Sequence, residues 1–136
     1  MKKTLKMLAV LAMLIIVVVF YYTKVDRLKS LDVEDFIFTV SENGSKDKQV
    51  EMMTSYVSSR FSTNEMRSQN IKSNNVNKRI VKITYYIGWF DDSIDKTIYV
   101  VEFKLKDKTW FIKSVQTGWK CHEGRGHQNY TNEACN

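Results

Sequence analysis

Hydrophobic and polar positions divide the chain into an unbroken apolar run, a stretch of period 3.6 and a stretch of period 2. The apolar run is Met7 to Tyr22, sixteen residues without a charge, behind Lys2, Lys3 and Lys6. A membrane-spanning helix needs about 20 apolar residues, with about 17 as the lower limit. Leu5 and Thr23 extend the run, and Lys6 can snorkel its ammonium toward the headgroups. A cleaved signal peptide shares the basic start and the apolar core. Here, however, Phe20, Tyr21, Tyr22 and Thr23 stand where a small-residue cleavage site belongs. Both tyrosines suit a membrane–water interface instead. The expectation is an uncleaved signal-anchor helix over 1–23, in contact with a bacterial inner membrane through residues 5–23. A polar stalk over 24–29 follows, then a single exported domain over 30–136, in the periplasm or outside the cell.

Helical spacing comes next. Val33, Phe36, Ile37 and Val40 recur at i, i+3, i+4 and i+7 behind an acidic first turn of Asp32, Glu34 and Asp35. That spacing predicts a helix closed by Asn43-Gly44. Phe36, Phe38 and Val40 also alternate, which is the rival strand pattern. Val50, Met53 and Val57, widened by Met52 and Tyr56, predict a second helix ending at Phe61. Gln69 to Asn77 is rich in Asn and Ser and reads as a loop.

The period then changes to 2. Val81, Ile83, Tyr85, Ile87 and Trp89 alternate with polar or small residues, the pattern of a half-buried strand. Tyr99, Val101, Phe103 and Leu105 form the inward row of the next strand, and Asp107-Lys108 can turn the chain into a third. Pairing across that turn sets Leu105 opposite Trp110, Phe103 opposite Ile112, and Glu102 opposite Lys113, a self-consistent register. Helices followed by antiparallel strands predict an α+β domain, with helices packed on a three- to four-stranded antiparallel sheet and a C-terminal disulfide loop. This order resembles the cystatin-like and NTF2-like folds, a likeness of pattern over residues 30–119 that implies no function.

Charge adds little. The formal net charge is +6, and Lys2, Lys3 and Lys6 account for half of it. Between Arg60 and Lys82 six cations (Arg60, Arg67, Lys72, Lys78, Arg79 and Lys82) face one carboxylate, Glu65. Such a run suits a solvated face, and export of the domain would leave a nucleic-acid partner out of reach, so none is expected.

Candidate chemistry gathers at the C-terminus. Both cysteines of the chain lie there, Cys121 and Cys135, and in an oxidising compartment such a pair is expected to form a disulfide. The metal alternative uses Cys121, His127 and Cys135, with His122 as a further donor type; its spacing matches no common zinc finger. Gly124-Arg125-Gly126 sets a guanidinium between two residues free to adopt positive φ, a geometry suited to a carboxylate or phosphate. Trp119, His122, Glu123, Arg125 and His127 are therefore the binding-loop candidates. The phrase W-x-C-x-x-G-R-G-H followed by a second Cys resembles the tails of small exported bacterial envelope proteins, and that resemblance implies an envelope location. Asp91, Asp92 and Asp95 fit turn chemistry better than a calcium loop. No nucleophile–base pairing stands out around the two histidines, so neither an enzymatic activity nor a cofactor is expected. The expected function is a membrane-anchored, non-enzymatic domain that binds an unidentified protein. Its concrete forms are an immunity or inhibitor protein against an envelope-acting toxin, or an anchored subunit of a secretion or conjugation apparatus. A zinc- or small-ligand-binding protein is the remaining alternative.

Overall fold

The computed structural model describes Met13 and residues 27–136 apart from 42, 43 and 90. Its described elements are β1 (Lys29–Leu31), β2 (Thr39–Ser41), α1 (Lys46–Phe61), β3 (Met66–Asn77), β4 (Ile80–Trp89), β5 (Ile94–Lys106) and β6 (Thr109–Cys121). The six strands form one antiparallel sheet in the order β1-β6-β5-β4-β3, with β2 also paired to β6.

The helix α1 starts where Ser45 takes an extended conformation and its Oγ accepts a hydrogen bond from the Lys48 N–H. Asp47 in the first turn and Arg60 in the last oppose the helix dipole favourably. Gln49, Met53 and Val57, at i, i+4 and i+8, are its buried face. That face lies on Val81, Ile83, Tyr85 and Ile87 of β4, Val101 and Phe103 of β5, and Trp110, Ile112 and Val115 of β6. Each of these fully buried side chains contributes about 1.5–3 kcal/mol relative to exposure. Gln49 is the polar member of the helix face; its Oε1 accepts the Trp110 indole N–H at 2.8 Å and its Nε2 donates to the Gly44 carbonyl at 3.1 Å.

The expected fold class is corrected. The domain is dominated by a six-stranded sheet with one helix among the described residues, rather than helices packed on a three- to four-stranded cystatin-like or NTF2-like sheet. The expected helix over 33–40 is absent. Asp32 Oδ1 caps the Glu34 N–H in a local turn, the chain runs irregularly to β2, and Ile37 is left 87% exposed. Its aromatic rings dictate this path: Phe36 meets Phe61 at 5.6 Å, while Phe38 meets Tyr56 at 4.5 Å and Phe103 at 5.6 Å. The expected loop over 69–77 is instead most of β3, paired from end to end with β4. At the β5–β6 turn, Asp107 and Lys108 adopt φ of 49° and 62°, giving the primed hairpin geometry without glycine. Leu105 pairs with Trp110 and Phe103 with Ile112, as the alternation predicts. Glu102 pairs with Ser114 across a bulge, yet its carboxylate still meets Lys113 Nζ at 2.6 Å.

Apart from Met13, the segment 5–23 expected to anchor the chain lies outside the described residues. Among those residues no helix is long and apolar enough to cross a membrane. The expected placement as a single-pass inner-membrane protein is corrected accordingly.

Candidate functional site

The two edges of the sheet are treated in opposite ways. The outer edge of β6 is covered at four places along its length by three pieces of chain. β2 pairs with Thr109–Phe111, β1 with Val115–Thr117, Thr131 with Trp119, and the Cys121 N–H donates to the His127 carbonyl at 3.0 Å. The opposite edge is β3, which among the described residues pairs only with β4. Bulges lie at both ends of β3, leaving Ser68 to Asn75 in regular one-to-one register with Gly88 to Val81. Of its twelve residues only Met66 and Ile71 are half-buried, and the rest are exposed. A strand in this position turns the N–H and C=O of alternate residues outward without partners.

The C-terminal tail explains how the other edge is closed. Cys121 and Cys135 form a disulfide across a Cα–Cα distance of 5.6 Å. Gly124 and Gly126 take φ of +78° and +138°, so the loop between the cysteines needs the freedom glycine supplies. At Gly126 a Cβ would also come within 2.9 Å of Cys121 Sγ.

Of the five binding-loop candidates, Trp119 stands on β6 and the other four on this tail, and four of the five hold the tail in place. Trp119 Nε1 donates to the Glu133 carbonyl at 2.8 Å. His122 Nε2 meets the Asp91 carbonyl at 3.1 Å, and its backbone N–H donates to Ser93. Arg125 Nε donates to the Asn136 backbone oxygen at 2.6 Å, and its guanidinium also reaches Ser93 Oγ at 3.3 Å. One ring nitrogen of His127 faces the Asn129 carbonyl and the other that of Glu133, at 2.9 and 3.0 Å. Glu123 is exposed. Gln128, not singled out by the sequence, completes the lattice by donating from Nε2 to the carbonyls of Cys121 and His122. Nothing in the local sequence marks it, because an amide between a His and an Asn is unremarkable in a loop.

The donor atoms of Cys121, His127 and Cys135 lie within 4.8 Å of one another, as the metal alternative requires. Both sulfurs are joined in the disulfide and both ring nitrogens face carbonyl oxygens, so these atoms serve the covalent staple. Asp91 caps the β4–β5 turn, its Oδ1 accepting from the Ser93 and Ile94 N–H groups. Those two hydrogen bonds hold its carboxyl below the usual carboxylate range.

On the face of the sheet turned away from α1, a cleft of about 510 Å³ lies beside the free edge. Its floor is Gly88, whose missing side chain makes room for Ser68; a Cβ there would collide with Ser68 Oγ. Lys72 and Lys96 stand on its rim with Tyr86 and Tyr130. The nearby carboxylate of Asp95 is held by Arg67 at 3.3 Å and Lys120 at 2.9 Å. Partial burial opposes its ionisation, but the hydrogen bond and charge of Lys120, with the charge of Lys96, outweigh it and hold the carboxyl below its ordinary range. The sequence hides this region because Thr84, Tyr86 and Gly88 read only as the outward row of β4.

No family model, curated protein or solved structure matches the chain. The functional reading therefore rests on the geometry of this edge, this cleft and this tail.

Proposed function

We propose that this chain is a non-enzymatic protein-binding domain, and that its binding surface is the free edge formed by β3. The observation that carries the reading is the contrast between the two edges. Most of β6 is covered by three separate pieces of chain, one of them held by a disulfide, whereas among the described residues nothing pairs with the outer side of the regular stretch Ser68 to Asn75. Open edges invite strand addition, and natural sheets normally blunt them. An edge left open beside a sealed one suits recognition by strand addition, in which main-chain hydrogen bonds hold an extended partner and side-chain pockets select it. The loop around Arg125 contributes indirectly, by holding the tail that closes the far side.

Site-resolved photo-crosslinking in cells that make the protein tests this reading. A photoreactive side chain at Asn70 or Asn74 is expected to give a discrete covalent adduct with a partner, and one at Lys46 on the exposed start of α1 is not. Adducts formed only from Glu123 would move the binding surface to the tail loop and overturn the assignment to β3.

A further inference from the structure

We infer that the β3 edge takes an acidic extended segment of a partner protein, whose carboxylate side chains enter the cleft floored by Gly88. This rests on the strand-addition reading above and names the chemistry that the same edge selects. A strand added to β3 lies about 4.8 Å from it, with alternate side chains on the face turned away from α1. On that face β3 presents Ser68, Asn70 and Lys72, in register with Gly88, Tyr86 and Thr84 of β4. Side chains of the added strand therefore lie along the rim of the cleft.

The charge at that rim has one sign. β3 itself carries Arg67 and Lys72 and no carboxylate. Asp95 is already engaged by Arg67 and Lys120. Among the described residues neither Lys72 nor Lys96 has a carboxylate within 4.0 Å. The Lys72 ammonium sits 5.6 Å from the centre of the Tyr86 ring, over a face that attracts cations and toward the cleft. Tyr86 and Tyr130, with ring centres 6.2 Å apart, offer apolar surface to the stem of a glutamate. A carboxylate arriving here meets two ammonium groups without a carboxylate partner; a lysine would add a third cation.

The same charge selects against a second copy of the chain. Two β3 strands paired about Lys72 would set the two Lys72 ammonium groups opposite each other, and like charges facing across strands are destabilising. A second basic region lies where the β3–β4 and β5–β6 turns meet, with Lys78, Arg79, Lys104, Lys106 and Lys108 around Asp107. It lies past the bulge at Asn75–Asn77, beyond the regular stretch Ser68 to Asn75, which places the extended acidic segment on that stretch rather than there.

Three synthetic heptapeptides test the inference on the full, isotope-labelled chain: one alternating glutamate with valine, and the same peptide with glutamine or lysine for glutamate. The glutamate peptide is expected to shift the backbone amides of residues 68–75 and to bind about fivefold tighter than the glutamine peptide at low salt, as two exposed ion pairs allow. The paired change Lys72→Gln and Lys96→Gln should erase that preference, so that glutamate and glutamine peptides bind the variant equally. Equal binding of glutamate and glutamine peptides at 68–75 overturns the acidic selectivity and leaves the strand-addition reading standing. Shifts confined to Arg79, Lys106 and their neighbours overturn the inference in favour of an anion site at the turns. Self-association of the chain through 68–75 makes a second copy the occupant and overturns it as well. No binding of any peptide up to millimolar concentration removes both readings.

Discussion

Single residues decide how the polar groups of this fold are reconciled with burial. Gln49 lies on the buried face of α1 and is 5% exposed, with its oxygen committed to the Trp110 indole N–H. Replacing it by Leu keeps the bulk but leaves that N–H without its partner, and an unsatisfied buried donor costs about 1–3 kcal/mol. Gln49→Leu is therefore expected to lower the stability measured by urea unfolding by that order, more than the same change at exposed Glu51. Asp95 gives a pH-dependent case. Its folded carboxyl titrates below the ordinary value, so its ionised form stabilises the fold above that value, about pH 3.9 for a free Asp, and the contribution fades as pH falls through the lower folded value. Asp95→Asn is expected to be less stable than the native chain by roughly 1 kcal/mol or less at neutral pH. Stability curves of the two proteins should converge below about pH 4. A difference that persists at pH 2 would show that Asp95 acts through packing instead.

At the scale of elements, the tail behaves as a removable seal. A loop of about 15 residues closed by a disulfide stabilises by roughly 3 kcal/mol in the chain-entropy account. Changing both Cys121 and Cys135 to Ser is expected to cost about that much and to expose the Thr131 amide, which donates to Trp119 in the native chain, to rapid hydrogen exchange. Unchanged exchange at Thr131 would mean that the hydrogen bonds of Trp119, Arg125, His127 and Gln128 hold the tail unaided. Hydrophobic patterning made the strands of the core readable, because Val81, Ile83, Tyr85 and Ile87, and Val101 and Phe103, are buried while the residues between them are only half-buried. It even gave the pairing of Leu105 with Trp110 and of Phe103 with Ile112. It failed where burial does not alternate. β3 is exposed on both faces over most of its length, so its Asn and Ser residues read as loop, and the feature that now carries the functional reading was illegible. Val33, Phe36, Ile37 and Val40 matched helical spacing by coincidence, since the rings of Phe36 and Phe38 are drawn to Phe61, Tyr56 and Phe103 in space. The cysteine pair was legible because only two exist, but the residues around it were expected to face a partner, and the structure turns Trp119, His122, Arg125 and His127 toward their own tail.

Across the whole molecule, the core is a single layer of helix on sheet, and its centre is Met53 with Phe103 and Tyr85. Met53→Ala removes a fully buried side chain from the only helix face packed on that sheet among the described residues, and a loss of about 2–5 kcal/mol is expected from unfolding curves. A loss under 1 kcal/mol would mean that the helix can settle onto the strands and fill the space.

The coverage of β6 also fixes the arithmetic of assembly. A sheet with two open edges can add neighbours at both, and repeated addition produces a filament without a natural end. Here the three-residue β1 and β2, with Thr131 and His127, lie along β6, so among the described residues β3 is the one long open edge, and copies of the chain have no second such edge through which pairing could repeat. Two distant stretches of sequence, one before the helix and one after the last strand, thus act together as a chain terminator for the sheet.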